Sequence, residues 1–269
     1  FPLGEGVFGA GLYGNQGARA DYDRPRTVFG IPGNGDRRIQ FEIVRIPLSY
    51  GRRLGNGWAL GASLVPVVAR LRSDSITPTL RTARGDYHWD QSLGVGFQIG
   101  VYKKWEAWSF GANYSSRIWM DDFDLYERDA VRRNFDLPEK LQLGIAYRPA
   151  PKWEVLLDYK WVHWSQVHGF GALSTRGGVL WEDQHILKAG VSWDVRPDWT
   201  LRAGVSWGEP PIDASAVIPN ALAPPLSTWH FAAGVSHAIS ARSSLHAAVS
   251  YVLPEAMTDN GRGDLFSFF

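Results

Sequence analysis

The sequence predicts an all-β fold, a transmembrane antiparallel up-and-down β-barrel of which about 12 strands are visible. Three observations predict it. Apolar side chains occupy every second position in segment after segment, which is the period of a β-strand. The segments are joined alternately by short and long connections. The chain also combines 13 Trp, 10 Tyr and 13 Phe with 29 Gly, and barrels use glycine for bends and aromatic residues for interfacial belts.

The alternation is clearest from Leu93 to Val101, where the odd positions are apolar and the even positions are Gly or Gln. The same period begins again at Trp108, Leu141, Leu187, Leu201, Trp229 and Leu245. A soluble sandwich also alternates. Two details favour a membrane barrel. The apolar face often ends in Trp or Tyr, which suits the headgroup level, and the other face is rich in Gly, Ser and isolated charges.

The predicted strands, in order, are residues 6–14, 38–50, 58–71, 91–102, 108–118, 140–148, 153–164, 185–194, 199–208, 228–239, 244–252 and a start at 265–269. Short turns are predicted at 51–57, 103–107, 148–152, 195–199 and 240–243, and long connections at 15–38, 72–90, 118–139, 165–184 and 208–228. Outer-membrane barrels keep short turns on the periplasmic side and long loops outside. We expect one domain over 1–269, incomplete at both ends and lacking its first strands.

Composition narrows the function classes. The chain has 28 basic and 27 acidic residues, so nothing points to a nucleic-acid partner, and with no Cys it has neither disulfides nor thiolate metal sites. No Gly-x-Ser-x-Gly motif occurs, and none of the seven His is paired at metal-ligand spacing. We therefore expect no catalytic residues, metal or cofactor, and no enzyme, although a His–Ser pair in the external loops remains an open alternative. The longest mostly apolar run, 58–71, is shorter than the ~20 residues of a spanning helix.

Several short motifs occur in a recognisable order. Leu137-Pro138-Glu139 ends a long connection, Gly144 to Arg148 and Lys152-Trp153 flank a turn, and Trp164-Ser165-Gln166 closes the next strand. Upstream and downstream lie the segments Gly9–Gly14, Gly94–Gly100, Gly111–Ser116, Leu201–Trp207 and Pro210-Pro211. In order and spacing, from about residue 7 to about 255, these motifs resemble the FadL family of outer-membrane transporters for long-chain fatty acids and other hydrophobic compounds.

The resemblance implies a 14-stranded barrel, integral to the bacterial outer membrane, with an N-terminal hatch and a sideways exit for substrate beside a kinked strand. Nothing in the chain matches the hatch. The implied partners are outer-membrane lipid, lipopolysaccharide and a hydrophobic small molecule, with a protein partner on the loops or rim as a further option. One alternative is a barrel that no longer transports and serves as a structural or partner-binding subunit. A diffusion porin is less favoured, because the charges are not segregated.

Two neighbouring predicted strands place apolar residues on the inner face, where a hydrophobic ligand could bind. The predicted ligand-binding residues are Phe41, Ile43, Arg45, Val65, Val67 and Leu71. Arg45 is the expected partner of a carboxylate. Two alternatives remain open: these residues pack against an inward-folded loop, or a bulge near Pro47 or Pro66 exchanges the faces.

The remaining inward charges either bind a carboxylate or pair across strands, and pairing is favoured. They are Lys140, Arg148, Asp158, Lys160, Lys188, Asp194 and Arg202. Apolar residues of the external loops form either an entry groove or a loop core. They include Phe123, Leu125, Phe170, Leu173, Val217, Ile218 and Leu222.

Overall fold

The computed structural model describes residues 2–22, 27–28, 31–32, 37–73, 88–126, 135–172, 178–217, 220, 225–241 and 243–260. Most of these residues form β-strands. Among them, no helix has both the length and the apolar character needed to cross a membrane. The strand expected at 265–269 lies outside the described residues.

The strands are β1 Pro2–Leu3, β2 Gly6–Ala10, β3 Tyr13–Tyr22, β4 Thr27–Val28, β5 Ile31–Pro32, β6 Arg37–Arg45, β7 Leu48–Gly55, β8 Trp58–Ser73, β9 Asp90–Trp105, β10 Trp108–Ser115, β11 Trp119–Met120, β12 Lys140–Ala150, β13 Trp153–Val162, β14 Gln184–Arg196, β15 Trp199–Gly208, β16 Trp229–Ser240 and β17 Ser243–Val252. A 3₁₀ turn, Asp124–Tyr126, and a one-turn helix α1, His168–Gly171, lie in the long connections.

One antiparallel sheet contains all the strands except β4 and β5, which pair with each other. Its main path runs β1-β2-β7-β8-β9-β10-β12-β13-β14-β15-β16-β17, so most neighbours in the sheet are also neighbours in the chain. In addition, β6 pairs with both β3 and β8, and β11 extends β10 along β9. This is the predicted up-and-down order. Over the described residues the sheet is not closed, because β1 and β17 form its two edges.

The turns on the short side are tighter than the sequence predicted. Two residues separate β7 from β8 and β9 from β10, whereas 51–57 and 103–107 were expected. Asn56, Gly57 and Glu106 have φ values of 47°, 78° and 50°. Positive φ suits the two-residue hairpin turns that match strand twist. The predicted turns were too long because polar residues at the strand ends still pair in the ladder.

The two faces of the sheet differ as predicted. On β9, Leu93, Phe97 and Ile99 are exposed on the outer face, although they are large and apolar. The inner position Gly100 lies opposite Gly61 of β8 and Asn113 of β10. At this level small or polar residues therefore line the interior, and apolar ones face outward, where lipid replaces water as the solvent.

Aromatic side chains mark the two ends of the outward apolar band. Near the turns, Trp153 stacks on Trp193 with ring centroids 5.1 Å apart. Near the long connections, Trp207 and Trp229 lie 6.4 Å apart. Trp199 and Trp207 are eight residues apart on β15, which is about 26 Å of strand at ~3.3 Å per residue. That length matches an apolar band ~25 Å tall.

Adjacent positions on β13 test this assignment of faces. Leu157 is exposed on the outer face, and Leu156 lies on the inner face. We expect Leu157→Arg to lower the free energy of unfolding by about 2–4 kcal/mol, because it places a cation in lipid. Leu156→Arg should cost clearly less, because the inner face is polar. Reversible denaturation in lipid vesicles measures both, and an equal cost for the two variants would contradict the assignment.

Candidate functional site

An apolar cluster lies on the inner face of the sheet, near the edge of the membrane from which the long connections extend. Its buried members are Ile43, Val65, Val67, Ala69, Leu71, Ile118, Met120, Phe123 and Leu137. Ile39, Phe41 and Phe135 are partly buried and pack against them. We call this set the apolar cluster.

The structure brings the predicted apolar residues together on the inner face. Val65 and Val67 are 1% exposed, and Ile43 and Leu71 are 2% exposed. The register pairs Phe41 with Leu71, Ile43 with Ala69 and Arg45 with Val67. Pro47 and Pro66 do not exchange the faces, because the pairing of β6 with β8 and that of β7 with β8 continue in one register.

Much of the apolar cluster comes from the connection after β10, which the sequence analysis had assigned to an external loop. Ser115 pairs with Gln98, but Trp119 pairs with Val95, so this strand holds one extra residue. Such a bulge shifts the side-chain period by one position. Ile118 and Met120 consequently point inward and cover Val65 and Val67. Packing against an inward-folded segment, left open by the sequence, is therefore confirmed; ligand contact stays a prediction.

We call residues 116–126, which lie over Val65 and Val67, the cover. Asp136 holds this segment in place. Ile118 and Leu137 exchange two backbone hydrogen bonds of 2.9 and 3.0 Å. The backbone N–H of Met120 donates to Asp136 Oδ1 at 2.8 Å, and Arg117 Nη1 lies 3.6 Å from Asp136 Oδ2. Because Asp136 is buried, removing its partners would leave a carboxylate without compensation. The cover is thus tied down along two stretches of chain.

Gly94 and Gly96 let the cover approach the sheet. A Cβ atom on Gly96 would lie 2.9 Å from the carbonyl oxygen of Arg117 and 3.0 Å from Ser116 Oγ. A Cβ atom on Gly94 would lie 2.8 Å from the carbonyl oxygen of Trp119. Backbone atoms cannot move aside as a flexible side chain does. Glycine at both positions is therefore a condition of this packing.

Aromatic residues of the long connections extend the packing outward. Phe135 contacts Phe41 and Phe170, with ring centroids 4.8 Å away in each case. Phe170 also packs against Trp164 and Trp181 at 4.8 Å. Of the predicted loop residues, Phe123 and Phe170 are buried, whereas Leu125 is exposed. These contacts form a loop core. Leu173, Ile218 and Leu222 lie outside the described residues.

Three cations gather beside the apolar cluster. Arg45 ends β6 next to Val67, and its charge interacts with those of Lys140 and Lys160, which lie across the interior on β12 and β13. Among the ion pairs of the described residues, none joins Lys140 or Lys160 to a carboxylate. Asp158 lies opposite Lys188, and Arg148 pairs with Glu154 at 3.0 Å. The inward charges therefore include the cross-strand neighbours Asp158 and Lys188 and, near them, the cations Arg45, Lys140 and Lys160; Lys188 also interacts with Lys160.

The hydrogen-bonded ladder is interrupted next to Arg45. Gly11-Leu12 separates β2 from β3, and Ile46-Pro47 separates β6 from β7 at the same height. Pro47 and Pro66, on adjacent strands, have no N–H to donate. Two bonds remain, from Gly11 N to Pro47 O at 3.1 Å and from Ile46 N to Pro66 O at 2.9 Å. The predicted strand 38–50 is thus two strands in one register, with a locally weakened wall between them.

A recess of about 600 Å³, lined by small apolar residues and several charged ones, lies on the inner face of β13 to β17. Asp158, Lys188, Arg202 and His246 line it, and Arg202 Nη1 donates to Ser236 Oγ at 2.5 Å. No residue of the apolar cluster contributes to its lining.

The motifs that carried the resemblance meet at the loop end of the wall. Glu139 accepts hydrogen bonds from the Tyr114 hydroxyl at 2.5 Å and pairs with His163 Nδ1 at 2.8 Å. These two contacts lower the pKa of the Glu139 carboxyl, the Tyr114 bond having the larger effect. Ser165 Oγ donates to Asp183 at 2.7 Å, and His163 Nε2 lies 3.8 Å from the same carboxylate.

This rim network does not reproduce a hydrolase site. Ser165 Oγ bonds to Asp183, so the hydroxyl proton is directed to the carboxylate and away from His163. Nucleophilic catalysis needs the base to accept that proton. Within the part of the chain that is described, no group of three or more His, Cys, Asp or Glu could hold a metal ion.

Residues 7–263 match the family described as outer membrane protein transport protein (OMPP1/FadL/TodX). The chain is 22% identical over 303 residues to a long-chain fatty acid transport protein of Salmonella typhi, covering 94% of this chain and 68% of that protein. It spans about two thirds of the length of the two long-chain fatty acid transport proteins that it matches.

Solved structures share the fold. The deltaS2S3 mutant of TodX, a monoaromatic hydrocarbon channel, superposes with a TM-score of 0.75 at 19% identity, covering 96% of this chain and 76% of that one. The toluene transporter TbuX of Ralstonia pickettii gives a TM-score of 0.69 at 20% identity, with 94% and 74% covered. The predicted transmembrane barrel is confirmed.

The role of Gly96 can be tested against Gly111, another inward glycine. A Cβ atom on Gly111 would meet nothing within 4 Å. We expect Gly96→Val to lower the free energy of unfolding by about 1–3 kcal/mol, because it overpacks the contact with the cover, and to expose residues 116–126 to protease. Gly111→Val should leave both measurements unchanged. A stable, protease-resistant Gly96→Val variant would contradict the packing described.

Proposed function

The chain belongs to the OMPP1/FadL/TodX family of outer membrane transport proteins, and from this premise we propose that it takes up hydrophobic molecules that carry a carboxylate, such as long-chain fatty acids. The protein is an integral outer-membrane barrel. The observation that carries the choice of substrate class is the cationic group Arg45, Lys140 and Lys160 beside the apolar cluster.

The substrate class follows from the two surfaces that meet there. An apolar wall formed by Phe41, Ile43, Val65, Val67 and Leu71 suits an alkyl chain once the cover moves aside. Arg45 stands at the inner end of this wall, where its guanidinium can hold a carboxylate in two hydrogen bonds. Lys140 and Lys160 add positive charge around the same anion. A neutral aromatic hydrocarbon would use the wall but has no charged group to which the cations can donate hydrogen bonds.

The route out of the interior follows from the weakened wall. Arg45 is two residues from Pro47, so a molecule held by Arg45 already lies beside the interrupted ladder. Leaving there delivers an apolar molecule sideways into lipid, which is the environment that it prefers to water. The resemblance noted from the sequence implies an exit of this kind.

A barrel that has lost transport and serves only as a structural or partner-binding subunit is not favoured. The family match is to transport proteins. The packed segment covers the apolar cluster, and moving it aside would break the short pairing of β11 with β9 and the bonds to Leu137 and Asp136 while leaving the longer strand pairs in place. A protein partner on the loops or rim remains a separate proposal.

Uptake by a Gram-negative host that lacks its own transporter of this family tests the substrate class. We expect Arg45→Gln/Lys140→Gln to reduce oleate uptake by about tenfold or more, since each hydrogen bond to a charged group contributes about 1.5–3 kcal/mol. Toluene uptake should not change. The matched control is Arg202→Gln, which removes an inward cation whose guanidinium donates to Ser236 Oγ.

The outcomes separate the parts of the proposal. Equal loss of oleate and toluene uptake would assign the cations a structural role. Unchanged oleate uptake by the folded double variant would reject the carboxylate. If the unsubstituted protein transports neither compound, the transport function itself is wrong. Heat-modifiable mobility on gels confirms folding in each case.

A reversible cross-link tests the exit. The chain has no Cys, and Leu12 falls opposite Ile46 in the common register of the β2–β7 and β3–β6 pairs. Cross-strand Cα atoms lie about 4.5–5.5 Å apart, within the range of a disulfide. We expect Leu12→Cys/Ile46→Cys to abolish uptake when oxidised and to regain it on reduction. The measurement is uptake before and after dithiothreitol.

A disulfide cross-link elsewhere in the wall serves as the control. Ser49 and Ser63 are paired on β7 and β8, with their hydroxyls 2.8 Å apart. Ser49→Cys/Ser63→Cys should therefore cross-link without affecting uptake. If the two oxidised proteins transport equally well, the interrupted ladder is not the exit.

A further inference from the structure

A cationic patch lies on the outer face of the barrel, above the apolar band and away from the interior. Arg70 and Arg72 follow Val68 at alternate positions of β8, and Trp89 continues β9 in the same register. Glu42 and Gln40 of β6 lie opposite Arg70 and Arg72. These residues share the outward parity of Leu64 and Leu60, which are exposed.

The height of the patch follows from the register. The outward side chains of β8 are apolar from Leu60 to Val68, eight residues or about 26 Å at ~3.3 Å per residue. In the last apolar row, Val68 lies between Val44 of β6 and Leu93 of β9. The apolar band of such barrels is ~25 Å tall. Arg70 and Arg72 therefore stand at the headgroup level of the leaflet nearest the long connections, which is the external leaflet.

The two arginines are held close together. The guanidinium carbons of Arg70 and Arg72 each lie 4.4 Å from the ring centroid of Trp89, so they are separated by at most twice that distance. Arg72 also donates two hydrogen bonds to Gln40 Oε1, at 3.1 and 2.6 Å. Arg70 Nε is buried and has no hydrogen-bond partner within the described residues. Two guanidinium groups on one ring concentrate positive charge at this point of the outer face.

We propose that Arg70, Arg72 and Trp89 form a binding site for a phosphate group of lipopolysaccharide in the external leaflet. Arginine matches phosphate geometry in pairs of parallel hydrogen bonds, and an indole suits a headgroup–acyl boundary. The acyl chains of the same lipid lie along Val68, Val44 and Leu93 directly below. Glu42 is the one carboxylate opposite Arg70 and weakens the site. This site does not depend on transport.

Binding of lipid A to the purified, folded protein tests the proposal. The probes are bisphosphorylated lipid A and the same lipid after removal of both phosphates, each titrated in detergent and followed by native mass spectrometry. We expect the protein to prefer the phosphorylated lipid, and Arg70→Gln/Arg72→Gln to weaken its binding by about tenfold or more. Glu42→Gln should tighten binding of the phosphorylated lipid only.

The matched control removes two cations from the opposite rim. Arg52 and Lys103 lie at outward positions beside the short turns, opposite Leu60 and Trp58, and Arg52→Gln/Lys103→Gln should leave the preference intact. Equal affinity of the unsubstituted protein for both lipids, or equal loss in the two double variants, overturns the proposal. Should Arg70→Gln/Arg72→Gln fail to fold, Glu42→Gln decides: unchanged or weaker binding of phosphorylated lipid A rejects the site.

Discussion

Backbone hydrogen bonding governs this molecule, because lipid offers no partner to a free N–H or C=O group. Every residue in the membrane must therefore pair with a neighbouring strand, and the chain has no regular structure other than strands to supply that pairing over most of its described length. Strand geometry then fixes which side chains meet lipid and which meet the interior. Where Pro47 and Pro66 withhold two donors at one height, the hydrogen-bonded ladder is interrupted, and that is the place at which we propose that a molecule leaves the interior.

The two-residue period of the strands determines which side chains face lipid and which face the interior, so the faces of the strands could be predicted from the sequence. It assigned Phe41, Ile43, Arg45, Val65, Val67 and Leu71 to the inner face, and their register and burial agree. It did not reveal the cover. The bulge between Ser115 and Trp119 reverses the faces of Ile118 and Met120, and no local pattern of apolar residues marks a single inserted residue. Gly94 and Gly96 were the available signal, since side-chain-free positions on an inner face leave room for a backbone.

Strand ends were predicted less well than strand faces, for a related reason. Alternation stops where a strand leaves the lipid, but pairing does not. β8 continues as far as Ser73, and β9 already begins at Asp90. β3 extends to Tyr22 through residues that were predicted to form a loop. Beyond the lipid, polar residues occupy both faces of a strand, so the alternation of apolar and polar residues does not show where the strand ends. The short motifs behave differently: Glu139 and Ser165 act through specific hydrogen bonds at the rim, which a pattern of apolar residues cannot detect.

Parity also sorts the charges into two sites with different chemistry. Arg45 stands at an inward position of β6, where the interior brings Lys140 and Lys160 near it, and the proposed ligand of all three is the carboxylate of a transported molecule. Arg70 and Arg72 stand at outward positions of β8, only a few residues further along the wall and opposite Glu42 and Gln40, and the anion proposed for them is a lipid phosphate. A register slip of one residue would exchange these positions and place cations in the acyl chains, at a cost of about 2–4 kcal/mol each at mid-depth. The charges that make the two sites therefore also help to hold the strands in register, so each site depends on the same alignment that creates the other.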